Sequence, residues 1–576
     1  ALVLTLHARG GAGAMTALTR RQLLARGALA SAGTFLAGSR SALAAQVPPW
    51  PSGLPTALVG ASKLYPERLP SGHQLHDDVA KMVSLGPRFT GTAAHNAFID
   101  WIEQGLIDAG CQMLPRDQFG FTRWLAERFS LEIIDGPATG PVPVSAYASY
   151  SGQTPANGIT GTLAYLGALP ELGLPGNPQD VATLEASLAT ARRVAADWAK
   201  AALAGIPGGA AGRIVLIDTQ LPPPITEDAF LPLVTYSYNP DNTAGTKTDD
   251  YKRMWIANAV LPQVMSALVQ AGVAGGVLIL DGSAAAVAGQ YLPYGNPIAG
   301  VPALLVDRDA GEQLRRQAQA TPTARLTLAA SVKNVSAPQL VGILPGDPSN
   351  DEVLILNTHT DGMNAFEENG GIGMVWLARY FASLPAKARL KRTLVFSAVM
   401  GHFSPVSTTA QTTGFVQAHP DLIRRSAASL TLEHFGTSEW IDDASGYHAT
   451  GQHEALAIWH SQTPIAAPLV DSIVAQNLVH TSALRPAGEY MIAVGGPLHT
   501  AGVPSASFIA GPDYLVSWAD GGHLDKFVPD RAQREVRWAA DFITRLDGIP
   551  AAQLAAGDSA ALAQTRGTPL AGNPYL

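Results

Sequence analysis

DEVLILNTHTDGMNAFEENGGIGMVWLARY, residues 351–380, decides the fold. Val353-Leu354-Ile355-Leu356 is a continuous apolar run, the pattern of a strand buried on both faces in a parallel sheet. The run leads to His359-Thr360-Asp361, a polar cluster at the carboxyl end of the strand, where open α/β sheets keep their ligand crevice. A glycine-spaced turn then opens into the helical run Met374–Ala378. Two readings of His-x-Asp stand side by side here. In one it is a plain polar turn; in the other His359 is a metal ligand and Asp361 fixes its imidazole from behind.

The flanking residues resemble the H-x-D and D-N-x-S-G signatures of the clan of di-zinc aminopeptidases that includes aminopeptidase Y and glutamate carboxypeptidase II. The resemblance implies that His359 is the first zinc ligand and Asp361 its supporting carboxylate. It also implies that Glu368, in Glu368-Asn369-Gly370-Gly371, takes the place of the aspartate that bridges the two metals. Glutamate there lengthens the arm that must reach both ions.

At 576 residues the chain has room for two or three domains, and 47% hydrophobic against 15% charged residues suits a well-buried globular protein. A net charge of −8 leaves no basic footprint for nucleic acid. Forty-two prolines and 57 glycines fit an α/β body with an irregular insertion better than a helical bundle. The single cysteine, Cys111, excludes an intramolecular disulfide and a cysteine-rich metal site.

Met15 begins a more coherent segment than the residues before it. Arg20-Arg21, a mildly apolar run from Gly27 to Gly38 and Ser41-Ala42-Leu43-Ala44 have the layout of an export signal, and the paired arginines favour the twin-arginine route. The apolar run is too short and glycine-rich for a stable membrane span. Residues 1–45 are therefore expected to be upstream sequence and signal peptide, with a periplasmic or secreted protein starting near Ala45 or Gln46. Residues 46–130 are expected to form the first part of a peptidase-like domain. Within them, Gly86-Pro87-Arg88-Phe89-Thr90-Gly91-Thr92 lies between two amphipathic helices and resembles the "G-x-R-x-x-G-T" segment of the same clan, a structural element there.

Short apolar strands dominate the next 200 residues: Gly212–Asp218, Ala271–Leu280 and Val301–Asp307. They are similar to strands of a protease-associated domain, which implies an inserted β-rich unit over 131–337, with the peptidase-like body resuming over 338–550 and a tail over 551–576. The Ala-rich stretch Asp180–Leu203 and the aromatic stretch Leu231–Trp255 depart from that pattern. Tyr236 and Tyr238, with Tyr251, are candidates for a substrate wall or for plain edge packing. Leu340–Leu344 is expected to return the chain to the main sheet as the strand preceding that of His359.

The Leu394–Val399 strand ends in Met400-Gly401-His402. The resembling family carries Glu-Glu there, a general base for the metal-activated water and a ligand; here His402 alone is able to bind metal or move a proton, with Glu367 as a second candidate base. Glu433 stands where the family has a ligating aspartate, and His434 is expected to face away if the strand is regular. Toward the end, His523 in Asp520-Gly521-Gly522-His523 resembles the histidine that closes the metal site, and His499 reads as a residue leading into a strand.

These readings imply a mixed, mostly parallel α/β sheet sandwiched by helices, with one or two zinc ions. The expected activity is hydrolysis of an amide bond in peptides or peptide-like substrates. A non-catalytic homologue that binds peptides through the same cleft is the alternative. A serine hydrolase is a distant third reading, since no G-x-S-x-G elbow is present.

Overall fold

The structure is a computed structural model that describes residues 64–170, 181–219, 234–238, 240, 261–291, 297–461, 463–486, 491 and 493–556. The signal segment around Arg20-Arg21, Tyr251 and the tail beyond residue 556 lie outside these residues.

Val353–His359 runs parallel to Thr393–Val399 on one side and to Ser426–Leu432 on the other, and Ser505–Ala510 extends the parallel set. Every residue of Val353–His359, Ser426–Leu432 and Ser505–Ala510 is buried, which is why these strands read as apolar or small-residue runs rather than as alternating patterns. Beyond them the sheet turns mixed: Leu456–His460 is antiparallel to Ser505–Ala510, followed by Thr481–Leu484 and, at the edge, Val234–Tyr238.

Helices cover the sheet. Gly72–Ser84 starts at a capping box in which Ser71 and Gln74 satisfy each other's backbone amides. Ala93–Asp108 buries Phe98, Ile99 and Ile102 and packs on Gly370–Ala382. At Gly105 a Cβ would stand 2.7 Å from a Val375 methyl, so glycine permits the spacing there. Pro529–Asp547 closes the layer against Gly72–Ser84, and one short helix, Ala551–Leu554, follows it.

The long strand Thr323–Leu344 joins this body to a second lobe. Its last residues pair antiparallel with Thr393–Val399, as in Leu340↔Ala398, so they sit beside that strand and not beside the His359 strand. Its earlier part forms a ribbon with Asp117–Ile133 and reaches Ile159–Ala168. From there Ile214–Thr219, Gly275–Leu280 and Ala303–Val306 continue the lobe in parallel, at the three apolar runs read from the sequence. The Ala-rich stretch is the helix Val181–Ala204. Among the described residues no helix is long and apolar enough to cross a membrane.

Candidate metal centre

The carboxyl ends of the parallel strands bring together His359, Glu367, His402, Glu433 and His434, all buried. His359 is the last residue of its strand. Its Nδ1 donates to the backbone carbonyl of Asp361 at 2.8 Å, so Nε2 keeps its lone pair, 3.8 Å from Glu433 Oε2. Glu433 follows directly on Ser426–Leu432, and its other oxygen accepts from the Val494 amide at 3.0 Å. His434 adopts φ 62°, and its Nε2 stands 3.6 Å from Glu367 Oε2 and 3.9 Å from Glu433 Oε2. Gly401, at φ 104°, turns the chain after Thr393–Val399. His402 follows, with Nε2 3.4 Å from Glu367 Oε1 and its ring centroid 4.4 Å from that of His359.

Two overlapping triads result. The ligand atoms of His359, Glu433 and His434 all lie within 4.8 Å of one another, and so do those of His359, Glu367 and His402. His359 Nε2, His434 Nε2 and both Glu367 oxygens are buried without a well-formed hydrogen bond. Each such atom costs about 1–3 kcal/mol if left unsatisfied, and a buried carboxylate costs more. A divalent cation bound by imidazole and carboxylate groups offsets that cost, so the donor set fits zinc.

The electrostatics point the same way. Burial, then the neighbouring His402 and His434 rings, hold the pKa of His359 well below the ordinary imidazole value. Burial also lowers the pKa of His434, against the raising effect of Glu367. Both rings are thus neutral at physiological pH, the form in which imidazole ligates a metal. Burial pushes Glu433 up to about 7, with His402 and the Val494 amide opposing. For His402 burial works against the charged ring, but the carboxylates of Glu367, Asp361 and Glu433 outweigh it and raise the pKa.

Several sequence expectations are corrected here. Glu368, expected to bridge metals, is not among the grouped ligands; it is fully buried, with Oε1 in an ion pair with Arg88 and Oε2 without a hydrogen bond. The adjacent Glu367 occupies the cluster instead. His434 faces in because the strand stops at Leu432 and the left-handed backbone at His434 breaks the alternation on which its outward orientation rested. His523 is not among the grouped ligand atoms; it lies in Asp520–Lys526 with φ 60°, and its Nε2 bonds Ser517 Oγ at 2.8 Å. Asp361 accepts through Oδ2 from the Thr90 hydroxyl and the Gly401 and Phe403 amides, while its backbone, not its carboxylate, orients His359. His499 lies in the short helix Gly496–Thr500 rather than leading into a strand.

Tyr236 and Tyr238 are not brought to the cluster. Their strand is the fifth from Val353–His359 across the sheet, about 24 Å away at ~4.8 Å per strand. Tyr238 bonds Asn477 there.

No family model matches the chain, and no curated protein does. Solved structures do. The chain is similar to a peptidase M28 precursor from Shewanella amazonensis SB2B, with TM-score 0.56 and 15% identity over 83% of this chain and 96% of that one. It is also similar to an aminopeptidase from Aneurinibacillus sp. strain AM-1, with TM-score 0.51 and 15% identity over 83% and 94%. A third is BSAP, a zinc aminopeptidase from Bacillus subtilis, with TM-score 0.50 and 17% identity over 84% and 98%. The mixed α/β body with its mostly parallel central sheet therefore has the fold seen in peptidase M28.

Proposed function

We propose that this chain is an exported zinc-dependent hydrolase that cleaves an amide bond in peptides or peptide-like molecules. The observation that carries the reading is the convergence of five buried imidazole and carboxylate side chains, with His359 Nε2, His434 Nε2 and both Glu367 oxygens lacking a well-formed hydrogen bond, at the carboxyl edge of an aminopeptidase-like sheet.

His359, Glu433 and His434 would hold one ion, with His359 oriented by the Asp361 carbonyl and Glu433 by the Val494 amide. Glu367 and His402 either complete a second site with His359 or act on protons beside the first. Zinc bound by these residues would supply a Lewis acid for the scissile carbonyl and for water. In the proton-transfer role, His402 Nε2, 3.4 Å from Glu367 Oε1, takes the proton from the attacking water and returns it to the leaving amine. The Glu367 carboxylate stabilises the imidazolium meanwhile.

Zinc measured on protein purified without added metal, together with amine release from aminoacyl anilides and dipeptides before and after chelation, tests the proposal. About one or two equivalents of zinc and chelator-sensitive hydrolysis are expected. Less than about a tenth of an equivalent even after zinc addition overturns it.

Export by the twin-arginine route is part of the same proposal and rests on the Arg20-Arg21 segment. Full-length protein retained inside cells that lack the twin-arginine translocase, and shortened protein outside the cytoplasm of normal cells, is the expected result. The segment over 131–337 is read as a protease-associated-like insertion.

A further inference from the structure

We infer that Asn364 is a positioning residue that sets Glu367 in the cluster and ties it to the segment Tyr514–Trp518. The inference rests on the metal-site reading given above.

Asn364 is fully buried and uses both ends of its side-chain amide. The oxygen accepts from the Phe366 amide at 2.9 Å and the Glu367 amide at 3.2 Å, closing the turn that carries Glu367. The nitrogen's two N–H groups are shared among three carbonyls on one segment: Tyr514 at 3.0 Å, Leu515 at 2.7 Å and Ser517 at 3.0 Å. The Glu367 carboxylate has no well-formed hydrogen bond; His402 and His434 stand 3.4 and 3.6 Å from its oxygens. The backbone turn that presents it to those rings is closed by Asn364.

The three carbonyls matter because of what else that segment holds. Ser517 Oγ bonds His523, and the Ser517 backbone forms an antiparallel bridge with Gln290 of the second lobe. On either side of this bridge the Tyr291 amide donates to Val516 at 2.8 Å and the Trp518 amide to Gly289 at 3.0 Å. A Cβ on Gly289 would fall 1.7 Å from the Trp518 carbonyl, so the approach is as close as the backbone allows. Through Asn364 the Glu367 turn, the His523 loop and the second lobe share one anchor. Partners that orient metal-binding groups from behind typically change metal affinity by about 10–100-fold when removed.

Two variants separate the roles of the amide. Asn364→Ala removes both sets of bonds. Asn364→Ser keeps a hydroxyl able to accept from the Phe366 and Glu367 amides and loses the donors to the three carbonyls. In metal-free protein, hydrogen exchange of the peptides covering 362–369 and 514–518 should speed up by about tenfold or more in Asn364→Ala, while the peptides of the central strands are unchanged. Zinc affinity, read by competition with a chromophoric chelator, should fall by about 10–100-fold in Asn364→Ala and by less in Asn364→Ser.

A folded Asn364→Ala protein with wild-type exchange in both segments, or with wild-type zinc affinity, overturns the inference. If Asn364→Ala does not fold, Asn364→Ser carries the test: faster exchange at 514–518 supports the inference, and unchanged exchange there defeats it. The exchange arm needs no metal. Failure of wild-type protein to take up zinc therefore counts against the metal site alone, and unaltered exchange counts against Asn364 alone.

Discussion

Glu367 and Glu368 are neighbours in the chain, both are fully buried, and their carboxylates diverge: Glu367 faces His402 and His434, while Glu368 pairs with Arg88. Arg88 is itself fully buried, and its other nitrogens donate to the carbonyls of Met82, Gly86 and Asn364. Burial drives Glu368 up to about 7 against the opposing pull of Arg88. One carboxylate thus belongs to the candidate site and the other to the fold.

This division gives opposite outcomes for two substitutions. Arg88→Met leaves Glu368 buried without its partner and should lower stability by ~3–5 kcal/mol in denaturant unfolding. Glu367→Gln removes a buried carboxylate that has no well-formed hydrogen bond, so metal-free stability should hold or rise while zinc uptake drops. Equal stability loss in both variants would sink the division.

Asp361 yields a prediction that departs from the resembling family. Its Oδ2 receives three donors, from Thr90, Gly401 and Phe403, and fixes the loop that presents His402. His359, in contrast, is oriented by the Asp361 carbonyl, which no substitution of the side chain removes. Asp361→Asn keeps an acceptor at the Oδ2 position and should leave zinc affinity within a few-fold of wild type. Asp361→Ala strands the donors at ~1–3 kcal/mol each and should lower the melting temperature clearly. A tenfold or greater loss of zinc affinity in Asp361→Asn would show instead that the carboxylate orients the ligand.

The parts of this molecule legible from sequence are those whose burial leaves a local mark. Val353–Leu356, Leu394–Val399 and Ala428–Leu432 are buried on both faces, so their composition announces them, and their carboxyl ends point to His359, His402 and Glu433. What was hidden depends on distance or on backbone conformation. The claim of Arg88 on Glu368 spans 280 residues of sequence. Val234–Tyr238 pairs with Thr481–Leu484, so the place of Tyr236 and Tyr238 is set by a partner with no local signature. His434 turned on a single dihedral angle; the Gly436 that follows, itself at φ 73°, was the one signal that the strand had already ended.

Acid should destabilise the protein through a histidine remote from the cluster. His460 is buried, with Nε2 bonded to the Thr235 hydroxyl and Nδ1 to the Ser461 carbonyl, and burial lowers its pKa to about 4. Between that value and the unfolded value near 6.5, the unfolded chain binds more protons than the folded one, so stability rises with pH across this window. The contribution is complete above pH ~6.5 and is lost as pH falls toward 4, at up to ~1.4 kcal/mol per pH unit. Urea unfolding at two pH values inside and above the window should show a smaller acid loss for His460→Gln than for wild type. Identical losses would exclude His460 as the source.

His402 is where the family pattern and this chain differ most, and its surroundings allow two roles. It groups with His359 and Glu367 as a ligand set, yet its Nε2 also faces Glu367 at 3.4 Å as a proton-transfer pair would. Removing a general base typically costs about 10²–10⁴-fold in rate and leaves bound metal in place. Removing a ligand lowers metal content as well. His402→Ala should therefore lose most hydrolysis of any substrate found, and zinc content measured on the same preparation assigns the role. Retained zinc with lost activity makes His402 the base; lower zinc content makes it a ligand. Full activity with full zinc would leave His402 as a packed residue at the end of its strand. The proton transfer would then fall to Glu367, the other group in the cluster whose oxygens are free to accept a proton.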